Sequence, residues 1–368
     1  MIEPLATTDP ITPAWLTAAL RAAGALPTGA VQAVETRGND AFNSAATHLT
    51  LTYSADAPAD ALHSLFLKRN LAVEWATEAA RDEARFYQAV ARLTPRPPMI
   101  APCYLAAFDE QRGVSSLLLA DVSATHAAPV TRDEQIRGDG VPDQRALDLA
   151  VDTLAAFHAC WWERPELGET FPGGGWYGGA EQFAAHMERR RDEWARFIAA
   201  EGDWFPADLR AVYEDAFTRL PSAWATAFGA RLAQRRAVTL GHGDCYLTQF
   251  LVPRAGVSAP TYLVDFQGVT ADCPAFDLTH MFAAMWSREQ RQEGDREQRC
   301  LRRYHAGLLA GGVRDYAWDD LLADYRALLA FMLFYPVWDE TNGSPHSYWL
   351  PKMRNIVAAW QDHCLNDA

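Results

Sequence analysis

LGHGDCYLTQFLVPRAGVSAPTYLVDFQG, residues 240–268, places His242, Asp244 and Asp265 on either side of what reads as a β-hairpin. QFLVP and TYLVD are strand-like apolar runs joined by RAGVSAP, whose glycine and proline suit a turn. Pairing Pro253 with Thr261 sets Gln249 across from Asp265, so an amide and a carboxylate meet at one end of the hairpin. Just before that end, Gly241 and Gly243 permit tight backbone turns, and Asp244 can project towards the same space. Oxygen donors of this kind, incompletely caging a cation, suit Mg2+ that also holds substrate phosphates.

The rest of the chain bounds what such a cluster can serve. Its 368 residues allow two or three lobes at roughly 100 to 200 residues each. A composition of 49% hydrophobic and 22% charged residues supports a large core,. With 33 Lys plus Arg against 47 Asp plus Glu the net charge is −14, which disfavours nucleic acid and anionic membrane surfaces as partners. The opening MIEPLATTDPITPAWL lacks a basic stretch followed by an apolar one, and no run approaches the ~18 apolar residues of a membrane span. The six cysteines, 103, 160, 245, 273, 300 and 364, show no CxxC spacing, so neither a zinc site nor a disulfide framework is expected. A cytoplasmic protein is the expectation.

Along the chain, Thr12 and Pro13 before AWLTAALRAAG signal a helix start. Extended runs flank residues 38–46, HSLFLKRN ends in a strand carrying Lys68, and EWATEAARDEARFYQAVARL has helical spacing until the prolines at 95, 97 and 98,. APCYLAAFDEQRGVSSLLLADVS reads as two strands around a turn at residues 110–113,. Beyond residue 121 the segments are long and helical. The expected fold is α+β: a small antiparallel-sheet lobe with one main helix, residues 1–120, then a larger, mostly helical lobe, residues 121–368. The glycine-rich FPGGGWYGG, 171–179, lacks the Lys-Ser/Thr of a P-loop and reads as a connection,.

The order His242-x-Asp244-x4-Gln249, a hairpin, then Asp265 is the catalytic-loop and metal-site layout of kinase-like phosphotransferases. It resembles the aminoglycoside phosphotransferase and choline kinase superfamily of small-molecule kinases. VDFQ, with HACWW at 158–162 upstream, looks especially like the ecdysteroid-kinase-like branch and its bacterial relatives. The resemblance implies a bilobal protein-kinase-like fold and an ATP- and Mg2+-dependent phosphotransferase acting on a hydroxyl of a small molecule. It implies Asp244 as the residue that accepts the hydroxyl proton, His242 as the brace of its loop, and Gln249 and Asp265 as metal ligands. It further implies Lys68 paired with Glu83 on the nucleotide phosphates, with Glu78 the competing partner. Gly38 marks the loop above the phosphates, and backbone groups around Ala120 to Val122 would hold adenine. Asp277 either supports the catalytic loop or caps the next helix. Cys245 has no triad around it to suggest acyl transfer.

Two departures stand out. Gln249 occupies a position where the family usually has Asn, and no full G-x-G-x-x-G precedes Ala46. They keep open a degenerate kinase fold that binds nucleotide or a metabolite without transfer, and a helical scaffold with an incidental HGD remains a third reading. The acceptor site is expected among aromatic stretches such as HACWW and FMLFYPVWDETNGSPHSYW, where tryptophans suit an apolar hydroxylated compound. Asp339 and Glu340 in the second stretch would suit an amine-bearing one.

Overall fold

The computed structural model describes residues 2–40, 44–173, 179–202 and 204–364. It divides into two compact units, Met1–Ala127 with Pro253–Gly268, and Ala128–Val252 with Val269–Ala368. The sequence places one boundary near residue 120; in the structure, 253–268 groups with the first unit.

In the first unit the helix α1 (Pro13–Ala22) starts where the Thr12 hydroxyl accepts a hydrogen bond from Trp15 N–H, with proline at the first turn,. Five strands, β1 (Val31–Asp40), β2 (Ser44–Tyr53), β3 (Ser64–Asn70), β4 (Cys103–Asp109) and β5 (Val114–Ala120), form an antiparallel sheet in the order β1-β2-β3-β5-β4. The β4–β5 turn closes because Asp109 Oδ1 accepts from the backbone N–H groups of Gln111 and Arg112, and Gly113 follows at φ +62°,. Leu16, Leu20, Leu49, Leu51, Leu65, Leu67 and Leu118 make a core in which α1 meets the sheet. Successive strand residues point to opposite faces, so Phe66 and Lys68 look away from Leu65 and Leu67.

The helix α2 (Glu74–Val90) buries Ala76, Glu83, Ala84, Phe86, Tyr87 and Val90. Those positions form one stripe at helical spacing, and Glu83 lies within it. Segment 253–268 attaches to this unit through packing that local sequence does not specify. Leu263 N–H donates to the Met99 carbonyl at 2.9 Å, and Phe266 stacks on Phe86 at 3.8 Å between ring centroids. Gly38 lies in β1 opposite Thr47. A Cβ there would meet nothing within 4 Å among the described residues, so none of them demands glycine at that position. The tip of the expected phosphate loop, 41–43, and most of the glycine-rich connection, 174–178, lie outside the described residues.

The second unit is mainly helical. Helix Gln144–Trp161, capped by Asp143, packs against helix Arg296–Ala310 through small residues. A Cβ on Gly307 would sit 2.6 Å from the Ala155 Cβ, so the helices touch at backbone distance. We expect Gly307→Val to lower stability by about 1–3 kcal/mol through overpacking, read from urea unfolding. Ala155→Gly should recover part of that loss. The short antiparallel pair Thr239–Gly241 and Thr270–Asp272 frames the segment that begins at His242. Phe157, Trp161 and Trp349 are buried, so much of the aromatic content expected to line an acceptor site is core, whereas Tyr335 and Tyr348 are half-buried and Trp338 is exposed. Helical run Trp318–Thr341 is long and apolar enough to cross a membrane, and 67% of its most apolar window is buried within the protein.

Candidate active site

In the first unit, Lys68 Nζ lies 2.7 Å from Glu83 and 2.5 Å from Asp265 Oδ1. Strand alternation turns Lys68 towards the α2 face, and the helix stripe turns Glu83 to meet it. Their side chains are only 14% and 3% exposed, which is tolerable for charges because they pair. Burial alone would lower the Lys68 pKa; the Asp265 and Glu83 carboxylates reverse this and raise it, so the ammonium is held protonated. Burial pushes Glu83 up, Lys68 pulls it down and Asp265 pushes it up again, leaving it above the ordinary range,.

Asp265 adopts φ +69°, a left-handed conformation that costs a non-glycine residue about 1 kcal/mol or more. Phe266, anchored on Phe86, holds it there. Gln267 Nε2 also donates to Asp265 Oδ1, a partner that the sequence reading missed. One ammonium against two carboxylates leaves the trio one negative charge in excess, and the Asp265 side chain is 31% exposed. An accessible, hard, anionic oxygen donor of this kind fits Mg2+. Among the described residues, no group of three or more His, Cys, Asp or Glu could hold a metal ion. A sparse protein donor set is what Mg2+ accepts when water and phosphate supply the remainder.

In the second unit, the segment after Gly241 is organised by Asp277. Its Oδ2 accepts from His242 N–H at 2.6 Å and its Oδ1 from Gly243 N–H at 3.0 Å, while Oδ2 lies 2.9 Å from His158 Nε2. His158 Nδ1 in turn meets Tyr304 Oη at 2.6 Å. Gly243 is at φ +81°, and a Cβ on Gly241 would press on Asp272 at 3.1 Å, so both glycines have a reason. His242 is buried, Asp244 is exposed, and Gln249 ends a 3-10 turn with its N–H on the Tyr246 carbonyl. Burial would raise the Asp277 pKa; the hydrogen bond and charge of His158, with His242, outweigh it and hold the carboxyl below its ordinary value.

We expect Asp277→Ala to lose about 3–5 kcal/mol of stability, because the buried His242 N–H, the partly buried Gly243 N–H and the buried His158 lose their partner,. The native contribution exists above the unfolded pKa near 4 and is lost as pH falls through the depressed folded value. The gap between wild type and variant in urea unfolding should therefore narrow below about pH 4. His158 and Tyr304 escaped the sequence reading. The only available signal was a histidine within the helical apolar spacing of HACWW.

Solved structures share this fold, three of them as follows. Choline kinase from Cryptosporidium parvum Iowa II superposes with a TM-score of 0.59 at 9% identity, covering 91% of this chain and 90% of its own. An aminoglycoside phosphotransferase from Alicyclobacillus acidocaldarius gives 0.52 at 12% identity over 96% and 93% of the two chains. The GDP complex of wild-type aminoglycoside 2'-phosphotransferase-IIIa gives 0.51 at 13% over 97% and 100%. No curated protein is significantly similar to the chain. The class is thus a kinase-like α+β fold. Within it, the model of the ecdysteroid kinase-like family matches residues 82–311, and the chain belongs to that family.

Proposed function

We propose that this protein transfers the γ-phosphate of ATP to a hydroxyl group of a small molecule. The observation that carries the reading is the ion-paired trio of Lys68, Glu83 and Asp265, in which Glu83 is buried and Asp265 stays partly open to solvent. A largely desolvated ammonium between two carboxylates, one of them open to solvent, is the kind of charge arrangement that ligand sites use. In this reading Lys68, oriented by Glu83, would contact the nucleotide phosphates, and Asp265 and Gln249 are the residues that would hold Mg2+. The bound metal would neutralise charge on the phosphates.

Asp244 accepts the proton of the acceptor hydroxyl as its oxygen bonds to the γ-phosphorus. The bond from that phosphorus to the β-phosphate oxygen breaks, and ADP leaves with the electron pair. His242 and Asp277 hold the Asp244 loop through the hydrogen bonds described. Backbone groups near Ala120 and Val122 bind adenine. Ala120 N–H already donates to Pro102 and Val122 C=O already accepts from Thr125 and His126, so the adenine edge would use Ala120 C=O and Val122 N–H. Gly38 would sit in the strand leading to the phosphate loop.

A non-transferring, nucleotide-binding relative is the second reading. It is favoured by Gln249, whose extra methylene displaces the amide oxygen from the position an asparagine would give it, while Mg2+ tolerates little departure from octahedral distances. The test is ADP release from Mg-ATP across a panel of sterols, macrolides, aminoglycosides, choline and sugars. Acceptor-dependent ADP release supports transfer. A nucleotide-dependent thermal shift with no ADP from any acceptor supports the binding reading.

A further inference from the structure

Lys352, in helix His346–Cys364, is 4% exposed. Its Nζ donates to Asp339 Oδ2 at 2.9 Å and lies 5.4, 5.8 and 5.4 Å from the ring centroids of Tyr246, Tyr335 and Tyr348. The rings come from the segment after Asp244, from helix Tyr335–Thr341 and from the helix of Lys352 itself. His280 backs the cluster, 5.5 Å from Tyr246 and 5.0 Å from Tyr335 between rings, and its buried Nε2 has no hydrogen-bond partner among the described residues. The cluster adjoins Asp244 directly, since Tyr246 N–H donates to the Asp244 carbonyl at 2.9 Å.

Three aromatic faces with a carboxylate are the equipment of a site for an organic cation. Here the chain supplies the cation. Burial would lower the Lys352 pKa, but Tyr348, Asp339 and Asp244 together raise it, so the ammonium persists. A second positive charge placed beside it would meet repulsion in a poorly solvated setting, and the aromatic faces that could offset this are already engaged.

We propose that Lys352 is a specificity-determining residue that fills a tyrosine cage next to Asp244 and so excludes cationic acceptors, leaving a neutral or anionic group beside the reacting hydroxyl. This rests on the assignment of Asp244 as the proton acceptor. It also answers the sequence expectation about Asp339: the amine that pairs with it is Lys352.

Thermal unfolding with tetramethylammonium chloride, against sodium chloride at equal ionic strength, tests the cage without any turnover. Lys352→Ala should bind tetramethylammonium at least about tenfold more tightly than wild type, while Lys352→Arg behaves as wild type. Lys352→Ala strands Asp339 and can fail to fold, so Lys352→Ala with Asp339→Asn is measured beside it, with a smaller gain in the same direction expected from the three rings alone. Equal ammonium affinity in wild type and both alanine variants overturns the proposal. In the acceptor panel, a cationic acceptor with a higher kcat/KM than every neutral or anionic one also overturns it. Tightened ammonium binding with no transfer to any acceptor sinks the phosphotransferase reading alone and upholds the cage.

Discussion

Asp244→Asn is expected to lower acceptor-dependent ADP release by about 10²- to 10⁴-fold, the range for loss of a positioned proton acceptor. The amide keeps the shape and loses the basicity. Because Asp244 is exposed, its replacement should cost much less stability than the loss of a buried charge, about 1 kcal/mol or less. The nucleotide-induced thermal shift should also survive, since Asp244 acts on the acceptor in this reading. Steady-state kinetics therefore carry the prediction: kcat and kcat/KM fall together, as for an interaction made only in the transition state. Unaltered turnover in a folded Asp244→Asn protein would remove the proposed mechanism.

Lys68→Met should produce the other large effect, on stability and nucleotide binding at once. The substitution leaves Glu83, 3% exposed, and Asp265 without their cation. Breaking such a pair costs about 3–5 kcal/mol, and the nucleotide-dependent thermal shift should vanish. The pH dependence has a definite sign. Glu83 is already above its ordinary 4.5, and losing Lys68 raises it further. A folded pKa above the unfolded one means that the native state binds the extra proton, so stability falls as pH rises through that window. Lys68→Met should therefore recover stability on acidification from pH 7 towards 5. Lys68→Met with Glu83→Gln should recover it at pH 7, because the amide needs no counter-charge. A Lys68→Met protein as stable as wild type at every pH would show that the trio contributes nothing to the fold.

Legibility in the sequence followed the range of the interactions. Thr12 and Pro13 mark the start of α1 because capping is settled within one turn,. The apolar period that reads EWATEAARDEARFYQAVARL as a helix is likewise local, and α2 runs Glu74–Val90. The alternation in SLFLK separates Lys68 from the leucines beside it,. Choosing Glu83 over Glu78 was a different problem. Both lie on α2, and only the rotation of that helix on the sheet turns one of them to Lys68. The commitment of 253–268 to the first unit was hidden for a related reason, since Phe266 finds Phe86 across 180 positions of chain.

By itself, then, the sequence determined the α+β class, the order of the elements and the spacing of His242, Asp244, Gln249 and Asp265, because turn residues and apolar periods act over a few bonds. Tertiary structure alone decided how the buried charges are compensated. His158 reaches Asp277, Gln267 reaches Asp265 and Lys352 enters a ring of tyrosines. In each case a desolvated group takes whichever opposite charge, polar partner or aromatic face the packed helices and strands bring to it.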